Sequence, residues 1–295
     1  MRTSKLEDKK NNTCAINLGN IASDIQNELE HTSSSNKNST TSPDQYIKTG
    51  ISGFDKLLRN GIPKGSNLLI SGGPGSGKTI FCLQTLAYHA SQGRNCLFIS
   101  FEESEKRLIE HMDEFGLNPS QLMNSGHLKI NRYLTSDVYY DENSKDDTVQ
   151  AMMAKESNQY TMDLEPFVIG EEGFKPDIIV IDSLTAIASA FIGGNQKYRL
   201  YLDKLFRFFE TLGSTNFLIS EAMVHDNESQ GNRAEDFLAD GVIFFYNSRK
   251  HNIRESAVEI LKMRGASHDK KIVALNITDN GIVVYPNQEA FSRYD

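Results

Sequence analysis

A glycine-rich run beginning at Gly72 has the composition of a phosphate-binding loop. It reads Gly72-Gly73-Pro74-Gly75-Ser76-Gly77-Lys78-Thr79. Glycines let the backbone curl so that several N–H groups point at one anion, and a following helix directs its positive dipole end at the same point. In this pattern Lys78 reaches the β- and γ-phosphates and the Thr79 hydroxyl binds Mg²⁺. The run therefore predicts binding of a nucleoside triphosphate together with Mg²⁺.

Three acidic residues follow apolar runs that predict buried strands. Asp182 ends one run, and Glu102 and Glu103 come just after another. An acid in Asp182's position can reach Mg²⁺, directly or through water, and a carboxylate such as Glu102 or Glu103 can orient the water that attacks the γ-phosphate. Acids also favour the first turn of a helix for dipole reasons alone. We predict that Asp182 is a metal ligand and that at least one of the two glutamates is catalytic.

A cationic cluster follows a later apolar run, with the sequence Lys262-Met263-Arg264-Gly265-Ala266-Ser267-His268-Asp269-Lys270. The cluster can be a solvated hairpin tip. It can equally supply an arginine finger to the phosphates of a neighbouring subunit. The pattern alone leaves both interpretations open.

The elements that carry these residues alternate between strand and helix, which predicts an α/β fold with a mainly parallel sheet. The predicted strands are residues 67–71, 95–100, 177–182 and 216–220, and the predicted helices are 80–86, 105–115 and 198–212. Because the carboxyl ends of parallel strands meet at one edge, Lys78, Asp182 and Glu102 should lie together there. Three further strands, near 242–246, 257–263 and 272–277, predict an antiparallel extension.

Composition sets the wider limits. The chain has 295 residues and a net charge of −8, which argues against a surface devoted to nucleic acid. No apolar stretch is long enough to span a membrane and no signal peptide is recognisable, so we expect a cytoplasmic protein. Cys82 and Cys96 lie in apolar segments and predict reduced core residues. We expect a low-complexity tail over 1–47, one ATPase domain over 48–287 with an irregular insertion at 136–175, and a short tail over 288–295.

From residue 49 to 285 the sequence resembles the KaiC clock ATPases and their single-domain archaeal relatives in the RecA-like superfamily. The resemblance rests on 49–55, 61–65, the phosphate loop, 101–104, 181–184, 262–265, 268–270 and 277–282. It implies a RecA-like P-loop ATPase that forms a homo-oligomeric, hexameric ring with ATP between subunits. Glu102 and Glu103 would form the hydrolytic centre with Lys78, and Arg264 would act from the adjacent protomer.

The resemblance also implies a set of nucleotide-binding residues. They are Gly72, Gly73, Pro74, Gly75, Ser76, Gly77, Lys78, Thr79 and Ile80 around the phosphates, and Lys262, Met263, Arg264, His268, Lys270, Thr278 and Asp279 toward the nucleotide of the adjacent protomer. Thr79 and Asp182 would hold the metal. Asp236 and Phe237 stand where the clock protein's second lobe has phosphorylated Ser and Thr, so autokinase activity stays open.

The leading hypothesis is a slow ATP hydrolase that couples its nucleotide state to ring conformation and to a protein partner, in signalling or timing. A recombinase-like ATPase that binds single-stranded DNA is one alternative, although the segment 225–236 is acidic on balance. A nucleotide-gated scaffold that needs no hydrolysis is another. The presence of Glu102, Glu103 and Asp182 favours hydrolysis.

Overall fold

The computed structural model describes residues 45–134, 173–189, 195–221, 234–250 and 253–291. All of them belong to the unit that comprises residues 43–295, and residues 1–42 are the other unit. Most of the low-complexity tail, most of the irregular insertion and most of the acidic segment after Glu221 lie outside the described residues. The predicted division into tail, domain and C-terminal tail stays a prediction.

Nine of the strands in the described ranges form one sheet, and two short ones form a separate ribbon. The strands are β1 (Tyr46–Ile47), β2 (Ile62–Pro63), β3 (Asn67–Gly72), β4 (Cys96–Ser100), β5 (Leu128–Arg132), β6 (Ile178–Asp182), β7 (Thr215–Glu221), β8 (Gly241–Lys250), β9 (Ile253–Met263), β10 (Val273–Thr278) and β11 (Gly281–Glu289). The order in the large sheet is β11-β10-β9-β8-β3-β7-β6-β4-β5, and β1 pairs with β2. β1 and β11 reach beyond the predicted limits at 48 and 287.

The sheet is parallel in one part and antiparallel in the other, as the sequence predicts. β3, β4, β5, β6 and β7 run parallel to their neighbours. β9, β10 and β11 form the antiparallel part. β8 joins the two parts, because it pairs in parallel with β3 and antiparallel with β9.

Helices cover the sheet between its strands. They are α1 (Ser52–Asp55), α2 (Lys78–Ser91), α3 (Glu105–Glu114), α4 (Pro119–Asn124), α5 (Leu184–Ser189), α6 (Asn195–Leu212) and α7 (Ala234–Leu238). In the described part of the chain, no helix is both long enough and apolar enough to cross a membrane.

The core has one layer on each face of the sheet. Along β3, Leu68 and Ile70 belong to the cluster beneath α2, whereas Leu69 belongs to the cluster beneath α6. Successive side chains of a strand point to opposite faces, so an uninterrupted apolar run is what a strand buried on both faces needs. Phe81 of α2 anchors the first layer, with its ring 5.3 Å from that of Phe245. Cys82 is buried and free in this layer, as predicted.

Several elements have no counterpart in the sequence prediction, namely β1, β2, β5, β11, α1, α4, α5 and α7. β5 and β11 are the two edge strands of the large sheet. An edge strand exposes part of its side chains, so its apolar run is interrupted and its signal is weak. Their positions follow from pairing with β4 and β10.

Candidate phosphate-binding and catalytic site

The predicted phosphate loop connects β3 to α2. Gly75 and Gly77 have φ values of +69° and +97°, which side chains other than that of glycine rarely adopt. A Cβ atom on Gly77 would also lie 3.2 Å from the Ile277 side chain, so the loop is confined on that side. The N-terminal N–H groups of α2 therefore open onto a curled backbone, which is the arrangement that holds a phosphate.

Lys78 lies in this loop. Its Nζ donates hydrogen bonds to the carbonyls of Gly72 and Gly73, both at 2.9 Å. Burial lowers its pKa, and the nearby carboxylates of Glu221, Asp182 and Glu102 oppose that shift. A buried ammonium group at the mouth of a loop of N–H groups attracts a polyanion.

Thr79 and Asp182 meet at the same edge of the sheet. The Thr79 hydroxyl donates to Asp182 Oδ2 at 2.8 Å, and only 5% of Asp182 is exposed. Burial raises the pKa of Asp182 to about 6, and the Glu102 carboxylate adds to the effect, while the Thr79 hydrogen bond and Lys78 oppose it. A hydroxyl and a buried carboxylate are oxygen ligands of the kind that Mg²⁺ takes beside phosphates. The ion would add positive charge next to this carboxylate and so favour its ionised form. These two residues fit the predicted metal site.

The two glutamates point in different directions. Glu102 Oε1 accepts a hydrogen bond from Ser183 Oγ, and Ser183 adjoins Asp182. Glu103 is held by Ser100, whose Oγ donates to the Glu103 carbonyl at 2.8 Å and accepts from its N–H at 3.0 Å. The Glu103 side chain extends toward His111 and Arg107 on α3. Glu102 is thus the glutamate that faces the predicted metal site.

Lys262, Met263 and Arg264 lie toward the opposite end of the strands from the phosphate loop, not at an edge strand. Met263 pairs with Gly241, and Gly241 pairs with Leu68 at the start of β3, whereas the loop follows the end of β3. Met263 is buried in the core layer beneath α2. In the chain described here, the nearest partners of Lys262 and Arg264 come from the segment around α7 rather than from the phosphate loop.

These partners are backbone carbonyls at the end of α7. Lys262 Nζ donates to the carbonyls of Asp236, Phe237 and Ala239 at 3.2, 3.5 and 2.6 Å. Arg264 donates to the Phe237 carbonyl at 3.2 Å and lies 3.5 Å from an Asp240 carboxylate oxygen. Burial lowers the pKa of Lys262, and the Arg264 charge contributes to this.

His268 and Lys270 follow Arg264 in the chain. His268 forms an isolated bridge with Leu58, and the Asp269 N–H donates to the Leu57 carbonyl at 2.9 Å. Lys270 is exposed. The strand register thus places Lys262 and Arg264 of the predicted cationic cluster at the end of the strands remote from the phosphate loop.

Thr278 and Asp279 lie elsewhere. They form the turn between β10 and β11, where Thr278 Oγ1 donates to the Gly281 carbonyl at 3.0 Å. The Ile282 N–H donates to Gln84 Oε1 of α2 at 2.9 Å, which fixes this turn beside the chain's own phosphate loop. The resemblance implies that these two residues contact the nucleotide of the adjacent protomer. In the fold they lie near the phosphate loop of their own chain, at the opposite end of the strands from Lys262. Ile80 is partly buried on α2 and packs on the core.

Sequence reasoning did not single out three residues that shape the site. Ser183 binds Glu102, Ser100 fixes Glu103, and Asn247 Nδ2 donates to the Gly75 carbonyl at 3.3 Å. Ser183 adjoins Asp182, and Ser100 precedes Glu102 by two residues, so their closeness in the chain to predicted site residues was a usable signal. Asn247 carried none, because it reaches the loop only through the pairing of β8 with β3.

A family model described as "ATPase: KaiC" matches residues 47–289, which include every predicted site residue. The chain belongs to the KaiC ATPase family. Its fold is the RecA-like α/β domain of that family, and nucleotide binding is a family property.

Individual relatives show how far the similarity extends. The circadian clock oscillator protein KaiC of Acaryochloris marina is 31% identical over 81% of this chain and 44% of its own length. A UPF0273 protein of Thermotoga maritima is 29% identical over 84% of this chain and 98% of its own length. A crystal structure of a KaiC-like protein from Pyrococcus horikoshii superposes with a TM-score of 0.64 at 28% identity, covering 82% of this chain and 99% of that one. The chain thus spans about half the length of the clock proteins it matches.

Proposed function

We propose that this KaiC-family chain binds ATP with Mg²⁺ and hydrolyses it slowly, in a ring of identical copies that holds ATP between neighbours. The nucleotide state of the ring would act as a switch that a protein partner recognises, in signalling or timing. The phosphate loop, Thr79, Asp182 and Glu102 would come from one copy. Lys262, Arg264, His268 and Lys270 would come from the next.

The observation that carries this proposal is the separation of the two groups across the sheet. β3 has six residues, and at about 3.3 Å per residue its two ends lie on the order of 17 Å apart. An arginine side chain does not extend that far, so Arg264 cannot reach the phosphate loop of its own chain. In a head-to-tail contact, the phosphate-loop side of one copy would face the Arg264 side of its neighbour. Head-to-tail contacts of this kind can close into rings.

Each group would have one chemical task. The loop N–H groups and Lys78 bind the phosphates, and the residues Thr79 and Asp182 would hold Mg²⁺, which spreads the charge that develops on the phosphate oxygens. Glu102 orients the attacking water and accepts its proton. The neighbour's Arg264 stabilises the transition-state charge, and Lys262 adds a second cation.

A mixing experiment tests whether the site is shared. We expect Glu102→Gln to lower the rate of phosphate release at least about a hundredfold, and Arg264→Ala to lower it by about a thousandfold. Each variant alone lacks one half of every site. In an equimolar mixture, about one quarter of the interfaces combine an intact Glu102 with an intact Arg264, so about a quarter of the wild-type rate should return.

The outcome separates a shared site from a self-contained one. Glu110→Gln, on the exposed face of α3, is the matched control and should keep the wild-type rate alone and in mixtures. If both variants assemble with wild-type chains but the mixture stays inactive, the shared site is wrong. A full rate in Glu102→Gln would remove that residue from catalysis.

Two further measurements address the switch and the alternatives. Capture of a partner in the presence of ATP but not of a non-hydrolysable analogue indicates a switch that needs turnover, whereas equal capture indicates a scaffold. Stimulation of phosphate release by single-stranded DNA, lost as salt is added, would favour the recombinase-like function instead. The net charge of −8 supports the expectation that DNA has no effect.

A further inference from the structure

The Glu103 carboxylate lies along helix α3 instead of at the metal site. Its Oε2 is 3.5 Å from His111 Nδ1 and 3.8 Å from Arg107 Nε. Arg107 and His111 follow Glu103 by four and eight residues, so both lie on the helix face that Glu103 overlies. The Ser104 side chain caps this helix by accepting from the Arg107 N–H at 3.4 Å.

Burial makes these two neighbours important. Glu103 Oε2 is buried and makes no hydrogen bond of normal geometry in the described part of the chain, while 32% of the Glu103 side chain as a whole is exposed. A buried carboxylate oxygen is unfavourable unless a donor or a positive charge lies close to it. His111, which is 33% exposed, and Arg107, which is 70% exposed, are the two groups that supply this. Lys106 is occupied elsewhere, 3.7 Å from Glu110.

A Glu103 released from the helix would change the charge of the site. Glu102 and Asp182 already place two acids beside the phosphate loop, and Glu103 also acts to raise the pKa of Asp182. A third mobile carboxylate would repel the triphosphate and compete with Glu102 for the attacking water. Ser100 holds only the Glu103 backbone, so the direction of the side chain depends on α3.

We propose that His111 and Arg107 are positioning residues that act through Glu103, holding its carboxylate against α3 so that Glu102 alone faces the water. This inference rests on the proposed function, because it assumes that Glu102 and Glu103 flank an ATP-hydrolysing site. It assigns the two glutamates different tasks. It also makes α3 part of the catalytic apparatus.

A double-mutant cycle tests the coupling. His111→Leu should lower kcat by about fivefold and weaken binding of a fluorescent ATP analogue by a similar factor, because Glu103 is then released toward the site. In a Glu103→Gln background the same substitution should change neither quantity, because no charge remains to be released. His111→Gln keeps an N–H donor and should restore most of both. Arg107→Gln should show the same dependence with a smaller effect, since Arg107 is the more exposed partner.

Lys106→Met is the control on the same helix and should have no effect in either background. Thermal unfolding of each variant checks that the fold is intact. If His111→Leu has equal effects with and without the Glu103 carboxylate, His111 is merely structural and the inference is wrong; it is equally wrong if His111→Leu has no effect in the otherwise wild-type chain. Should the wild-type chain release no phosphate, the proposed function fails, and the analogue-binding cycle still decides whether His111 acts through Glu103.

Discussion

His89 is a buried residue whose charge state affects folding. It is 1% exposed, and its ring nitrogens make no hydrogen bond of normal geometry within the described ranges. Burial lowers its pKa from 6.5 to about 4, and the Arg94 charge adds to the shift, while the Lys48 backbone and the Asp177 carboxylate act in the opposite direction. The residue packs beside Tyr88, with ring centroids 5.2 Å apart.

This shift gives a stability prediction whose sign is defined. As pH falls from 6.5 to about 4, the unfolded chain takes up a proton that buried His89 refuses, so about 3 kcal/mol of stability is lost. Asp182 acts in the opposite direction, because its raised pKa lets the folded chain take up the proton first as pH falls below about 6.

We therefore expect the wild-type profile to be flatter than that of either variant. Relative to wild type, His89→Leu should gain stability as the pH is lowered over this range, and Asp182→Asn should lose it. Urea unfolding at a series of pH values measures both. Parallel profiles for His89→Leu and wild type would mean that His89 titrates normally in the folded chain.

Thr79 gives a second prediction at this scale. Thr79→Val removes the hydroxyl that donates to Asp182 at 2.8 Å but keeps the shape of the side chain. The apparent Mg²⁺ affinity of the nucleotide-bound chain should fall at least about tenfold, since a ligand and its partner are both disturbed. Titration of an ATP analogue with Mg²⁺ and with EDTA measures the change, and Thr79→Ser should restore it. An unchanged Mg²⁺ dependence in the valine variant would exclude Thr79 from the metal site.

At the scale of elements, α7 and β9 are connected by Lys262. Its ammonium group donates to three carbonyls at the C-terminal end of α7, where the helix dipole favours a cation. The sequence assigned Lys262 and Lys270 the same task toward a neighbour, but only Lys262 has this second, structural contact. Lys270 is exposed.

The two lysines should consequently differ when they are replaced. Lys262→Met should lower the free energy of unfolding of the nucleotide-free chain by about 1–2 kcal/mol, because it leaves carbonyls without a donor. Lys270→Met should leave stability unchanged, although both variants slow phosphate release. Chemical denaturation without nucleotide makes the comparison. Equal stability of the two variants would show that the contacts with α7 contribute nothing.

At the scale of the whole molecule, the proposed ring depends on nucleotide. In that proposal, the phosphate loop with Lys78 from one copy and the cations from the next would complete each site. We expect size-exclusion chromatography with light scattering to show assembly when Mg-ATP is added to the wild-type chain. Lys78→Ala should abolish this response, because the variant would bind the phosphates of ATP more weakly. A single copy that hydrolyses ATP at the full rate without assembling would contradict the shared site.

Much of the fold could be predicted from the sequence because its signals are local. The apolar runs of β3, β4, β6 and β7 need no partner to be recognised, since strands buried on both faces are apolar throughout. The edge strands β5 and β11 were missed because their side chains are only partly buried. The role of β8 as the parallel neighbour of β3 depends on long-range pairing, which a local pattern does not encode.

The phosphate loop was determined by the sequence alone, because the curled backbone, the lysine and the hydroxyl are adjacent in the chain. Only the tertiary structure decided which glutamate faces Asp182, since neighbouring residues of a turn can point in unrelated directions and the choice was made by Ser183 and His111. Only the tertiary structure put Arg264 at the end of the strands remote from Lys78. That distance results from the register of three paired strands, β3, β8 and β9, and such a register is a property of the folded sheet rather than of any one segment.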